Sequence, residues 1–278
     1  MLLEAGRKLY AERKFDAALA QFEQAHSACA QPKTTLLPLA QAQLMAQKLE
    51  ASIRSLEEFL AVQPRSVEAL KLKGDVLYLL GRETEAVAAV EAVLATDPAH
   101  SGALYALARM RYQQNRFPEA VDLLQKIIAR EPDHYRAHDN LALSYAAQQQ
   151  DALAIKHFVR ALDLVHKAHP EYDTVYANAA NFFLERGEFQ KAFQLGAEAA
   201  KRNPGYARNF FLTGKALVKL EKHELSVRWF QQAAQLDPSY KEPHYWLGTV
   251  YRKLGRTDEA ARSLERFRDL SKAPAVTR

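Results

Sequence analysis

Apolar and small side chains recur along this chain in two complementary stripes that restart at a fixed interval. His138, Leu141 and Tyr145 fall at i, i+3 and i+7 with Ala142 beside the leucine, and Ala154 and Phe158 follow, four apart. The first set marks one face of an α-helix and the second a facing stripe on another, while the small residue lets the two helices approach closely. The arrangement returns at Leu70, Gly74, Leu77, Ala86 and Val90, at Phe210, Gly214, Leu217, Ser226 and Phe230, and at Leu247, Gly248, Tyr251, Ala260 and Leu264. Prolines punctuate it: Pro64, Pro98 and Pro132 stand 34 residues apart, as do Pro204 and Pro238. Proline lacks a backbone N–H and disfavours helix in the residue before it, so each marks a helix boundary. Eight helix pairs are predicted in this way. One pair cannot bury both of its stripes, but stacked pairs can, and a solenoid follows. The strict alternation and closely spaced turns of a β-fold are missing.

The large residue, the Leu-Gly three further on, the Tyr, and then the Ala, the large residue and the Pro resemble the tetratricopeptide repeat (TPR). The resemblance covers nearly the whole chain. It implies an all-α, right-handed superhelical solenoid of antiparallel helix pairs. One such solenoid is expected over 1–272, with repeats at approximately 1–32, 33–66, 67–100, 101–134, 135–172, 173–206, 207–240 and 241–272, and a flexible tail at 273–278.

Two irregularities stand out. Pro132 and Pro204 are 72 residues apart, four more than two repeats, with the surplus around Leu164 to Pro170. The helix ending the fifth repeat is therefore expected to run about one turn longer, with a wider connection before Glu171. A tolerated extension is the plain reading and a hinge or partner-facing protrusion the sharper one. The other irregularity is Gly196, where the pattern expects a bulky residue. Glycine costs roughly 1 kcal/mol against alanine in a helix, so a close helix contact, a softened joint and simple drift all stay open there.

Composition adds exclusions. With 48% hydrophobic and 26% charged residues over 278 positions, the chain is neither disordered nor collagenous. Its one cysteine, Cys29, excludes an internal disulfide or a cysteine-based zinc site and is expected to be a small apolar core residue. No apolar run reaches the 18 or so residues of a membrane span. The first helix begins directly after Met1 without a signal-peptide pattern or a capping residue. A chain trimmed from something longer is the expectation: cytoplasmic by default, periplasmic or envelope-associated if an upstream export signal is missing.

No phosphate loop, His-Glu-x-x-His or nucleophile elbow occurs, so neither catalytic residues nor a cofactor is expected. His134 with His138, and His166 with His169, have suggestive spacing but no supporting cysteine or carboxylate, and His138 occupies a core slot; no metal site is expected. Charge is uneven. From residue 200 onward 16 Lys and Arg face 8 Asp and Glu, a balance of +8, leaving 22 against 25, or −3, before it. That basic end favours an acidic protein segment over nucleic acid or a lipid surface.

In the TPR family the concave groove, lined by the first helix of each pair, is the usual binding surface. Carried over position by position, the resemblance implies a groove of Lys71, Tyr78, Tyr105, Arg109, Tyr112, Asn178, Asn181, Arg208, Phe211, Lys215, Lys219, Tyr245 and Arg252, with Asp75 and Glu185 beside them. Tyrosine and arginine are enriched at binding hot spots. The clamp by which TPR co-chaperones hold a terminal carboxylate is incomplete: Asp75 and Ala106 stand where asparagines belong, and Leu212 where the last base belongs. The asparagine ladder of TPR glycosyltransferases is thin, with Asn140 and Asn178 alone at the sixth position.

The resemblance thus implies a non-enzymatic interaction scaffold or adaptor that binds another protein's segment in the groove. The alternative is the substrate-recruiting or regulatory arm of a larger enzyme such as a glycosyltransferase. Self-association through terminal helices is a third expectation. The alanine- and glutamine-rich style matches bacterial repeats, a setting in which TPR proteins serve envelope assembly, secretion or pilus biogenesis.

Overall fold

The computed structural model describes residues 1–28, 33–169 and 171–272, and these form sixteen α-helices with no strand among them. Cys29, Pro170 and the tail at 273–278 lie outside the described residues. Two compact units divide at Pro132 and Asp133. The first contains α1 (Leu2–Ala11), α2 (Phe15–Ala28), α3 (Lys33–Met45), α4 (Leu49–Val62), α5 (Val67–Leu79), α6 (Glu83–Thr96), α7 (Ser101–Gln113) and α8 (Phe117–Arg130). The second contains α9 (Tyr135–Ala147), α10 (Asp151–Ala168), α11 (Thr174–Glu185), α12 (Phe189–Arg202), α13 (Ala207–Lys219), α14 (His223–Leu236), α15 (Lys241–Lys253) and α16 (Thr257–Lys272). Each odd-numbered helix packs back on the even-numbered helix that follows it, giving eight pairs.

The turn inside every pair has one solution. A residue with positive φ follows the first helix: Arg13, Gln47, Gly81, Asn115, Gln149, Gly187, Glu221 and Gly255. The next residue then donates its N–H back to the carbonyl five positions earlier, as in Arg82 to Leu77 at 2.9 Å and Glu188 to Phe183 at 2.9 Å. This left-handed cap satisfies carbonyls that the helix end would leave bare. Its residues step by 34 except between Gln149 and Gly187, where the step is 38.

Entry into the first helix of a pair also follows the period. Ser66, His100 and His134 precede α5, α7 and α9, and each side chain accepts the N–H of the residue three further on, Ala69, Ala103 and Ala137. An N-cap acceptor relieves one of the orphan donors of a helix start.

Packing within a pair turns on the small slot. A Cβ on Gly6 would come within 2.5 Å of Phe22, and one on Gly214 within 2.6 Å of Phe230, so ring and backbone already fill that space. In the first unit Leu36, Leu56, Leu77, Val90 and Leu107 belong to one core cluster. In the second, Ala161, Val165, Tyr176 and Leu212 form one cluster and Phe211, Phe230, Val250 and Tyr251 another.

Both irregularities acquire a physical account. α10 has 18 residues where α8, α12 and α14 have 14, so the four-residue surplus is one added helical turn. That turn is anchored: Val165 is fully buried. Gly196 lies on α12 against α13, where an added Cβ would meet Thr213 Oγ1 at 2.7 Å and the Thr213 backbone at 3.5 Å. The glycine marks a close helix approach.

Candidate protein-interaction surface

The groove residues expected from the sequence fall into two local sets, one per unit. In the first unit, Tyr78 on α5 and Arg109 on α7 line a cavity of about 340 Å³ together with Asp75, Leu79, Ala106 and Met110. Tyr78 is fixed there by Gln113, whose Nε2 donates to its hydroxyl at 2.5 Å. Arg109 is exposed and forms no ion pair among the described residues. Lys71 is half-buried and bound to Asp75 at 2.8 Å, one helical turn away, so its charge is already answered. Tyr105 is half-buried on α7. Tyr112 packs edge-on against Phe117 at 5.3 Å, as Tyr10 packs on Phe15 at 5.4 Å three repeats earlier. Its ring therefore braces the turn of its own pair.

In the second unit α11, α13 and α15 stand side by side. Asn181, Arg208, Phe211 and Lys215 converge there on a cavity of about 760 Å³. Arg208, Phe211, Lys215 and Lys219 recur on α13 at three- and four-residue steps, so one face carries them all. Phe211 is buried and forms part of the floor, with Leu212 beside it, and Lys215 Nζ sits 5.7 Å from its ring centre. Arg208 and Lys215 pair with no carboxylate among the described residues, and the same holds for Lys219 and, on α15, Arg252. Asn181 donates to Glu185 at 2.8 Å. Tyr245 is exposed, with its ring 5.5 Å from Phe267 of α16.

Sequence reasoning missed several neighbours. Tyr206, Tyr240 and Glu242 complete the cavity wall. A signal for the tyrosines existed: each stands two residues after a repeat-ending proline, in Pro204-Gly205-Tyr206 and Pro238-Ser239-Tyr240. Tyr240 lies 5.1 Å from Phe211, and burial pushes its hydroxyl up to about 12. Tyr206 is 47% exposed and forms the outer lip.

A buried polar group lies at the opposite end of the second unit. Asp139 on α9 accepts from Asn178 Nδ2 at 2.9 Å, and its other oxygen has no hydrogen-bond partner among the described residues. Burial raises this carboxyl to about 7, against a smaller lowering by Asn178. Asn178, expected to face a ligand, is thus engaged in joining α11 to α9. On the adjoining face, His138 and His157 approach Nδ1 to Nδ1 at 2.9 Å, a distance that requires one ring to donate and the other to accept. Burial first, then the proximity of His138 and Lys156, lowers His157 to about 4. The spacing of His134 and His138 thus serves a helix cap and a core contact. Among the described residues no group of three or more His, Cys, Asp or Glu is placed to hold a metal ion. None of the described helices is long and apolar enough to cross a membrane.

Family models described as tetratricopeptide repeat or TPR repeat match residues 37–103, 77–143, 214–255 and 244–270. The chain is a tetratricopeptide-repeat protein. Solved structures agree on the TPR fold. A tetratricopeptide repeat protein from Parabacteroides merdae superposes with a TM-score of 0.73 at 17% identity, over 90% of this chain and 97% of that one. Yeast Tom70 gives 0.68 at 16% identity, over 95% of this chain and 56% of its own. MamA gives 0.54 at 23% identity, over 58% of this TPR protein and 95% of MamA. As a TPR protein it is a protein-interaction scaffold in the general sense of its family.

Proposed function

We propose that this TPR protein is a non-enzymatic adaptor whose second unit holds an acidic segment of a partner protein across α11, α13 and α15. The observation that carries the reading is the row of cations on α13. Arg208, Lys215 and Lys219 lack carboxylate partners among the described residues, although elsewhere in the same unit basic residues such as Arg186 and Arg256 are ion-paired. Unpaired charge along one helix face favours a ligand of opposite sign, and it accelerates encounter as well as strengthening the complex. The Arg109 cavity of the first unit is smaller and offers a single base unpaired among the described residues where α13 offers three, which makes it the weaker candidate.

Affinity capture from a cell lysate, read by mass spectrometry, tests the assignment. Wild type is compared with an Arg208→Glu, Lys215→Glu variant and with Arg109→Glu. Partners are expected to disappear from the first variant and persist with the second. Partners retained by both variants would move the interface off the second unit's inner face.

A further inference from the structure

The cavity beside α13 has a composition that charge alone leaves unexplained. Its volume of about 760 Å³ exceeds what a carboxylate fills and leaves room for a large side chain as well. Its apolar lining is Phe211 and Leu212, both buried, with half-buried Leu236 and exposed Pro238 towards the edge. Two bases, Arg208 and Lys215, line the cavity without a carboxylate partner among the described residues, and two acids follow later in the sequence of its lining: Asp237, which accepts from the backbone and hydroxyl of Ser239, and Glu242 on α15.

We propose that this cavity reads a short acidic segment by a bulky apolar side chain, preferably aromatic, flanked by Asp or Glu. The bulky group sits on Phe211 and Leu212 between the rings of Tyr206 and Tyr240, and the flanking carboxylates meet Arg208 and Lys215. The commitment to a mixed motif follows from the two surfaces together. An acidic segment without the bulky group leaves the apolar floor in contact with water, and an apolar segment without the acids leaves two cations desolvated and unpaired. The proposal rests on the reading of this face as a partner-binding surface and adds the chemistry of the partner.

Fluorescence anisotropy on the full chain provides the test. The probes are three dye-labelled peptides: a glutamate-rich peptide with one central Phe, its Phe→Ala form, and a glutamine-for-glutamate form that keeps the Phe. Each is titrated against wild type, the Arg208→Glu, Lys215→Glu variant, and a Lys126→Glu control on α8. The first peptide is expected to bind wild type about tenfold or more tightly than either of the others, the usual effect of burying one large side chain. Charge reversal should abolish that advantage and the control should keep it. If the Phe→Ala peptide binds as tightly as the first and is still lost on charge reversal, the mixed motif is overturned while the acidic-groove reading stands. If reversal leaves all three affinities unchanged, both are overturned.

Discussion

At the scale of single residues, the second unit contains two buried titrating groups with opposed effects. The folded protein keeps Asp139 protonated up to about pH 7, whereas an unfolded chain releases that proton near 3.8, so its contribution to stability declines as pH rises through that interval. His157 does the reverse: folded, it stays neutral down to about 4, whereas unfolded it takes a proton near 6.5, so stability declines as pH falls from 6.5 towards 4. Over most of the range between pH 4 and 6.5 the two offset each other. Asp139→Asn should leave only the histidine slope, with stability rising from pH 4 to 6.5. At pH 8 the variant should gain about 2 kcal/mol, within the ~4 kcal/mol ceiling that a rise from 3.8 to about 7 permits. Urea denaturation across pH checks both statements, and an unchanged midpoint at pH 8 would refute the buried-charge penalty. None of this was legible in the sequence, where Asp139 carries no sign of its burial. Its burial depends on Asn178 from the neighbouring repeat. The small slots were legible, since Gly6 and Gly214 are dictated by rings in their own repeats.

At the scale of elements, the surplus of four residues was visible as a broken period, yet its character depended on packing. A solvated extension and an added core turn have the same length; burial of Val165 decides for the second. α10 supplies its own control, because Val159, on the same helix, is 60% exposed. Val165→Ala is expected to cost about 1–3 kcal/mol through lost contact and a residual cavity, whereas Val159→Ala should stay within about 0.5 kcal/mol. Equal effects from the two substitutions would show that the extra turn is not part of the core. The intra-pair turns were less legible than the helices they join. Five of the eight positive-φ positions carry Arg, Gln, Asn or Glu, for which the left-handed region costs roughly 1–2 kcal/mol. The repeated backbone bonds of the cap hold them there, and composition gives no sign of it.

At the scale of the molecule, the 34-residue step of the turn residues runs from Arg13 to Gln149 without interruption, passing through the boundary between the two units. The division at Pro132 therefore leaves no trace in the period that made the fold readable. Each unit nevertheless has four helix pairs and its own buried clusters. In repeat architectures, stability is close to a sum of intrinsic repeat terms and nearest-neighbour terms, and three or more repeats suffice to bury a continuous core. Fragments 1–132 and 133–278, expressed separately, are accordingly expected to be helical, each with a cooperative thermal transition. Their summed far-ultraviolet dichroism should approach that of the whole chain. Fragment 133–278 should also retain any partner that the Arg208 and Lys215 face captures, since every residue of that cavity comes from the second unit. A fragment that melts without cooperativity would mean that the core clusters assigned to it require the other half of the chain, and the binding face would then have to be studied only in the intact protein.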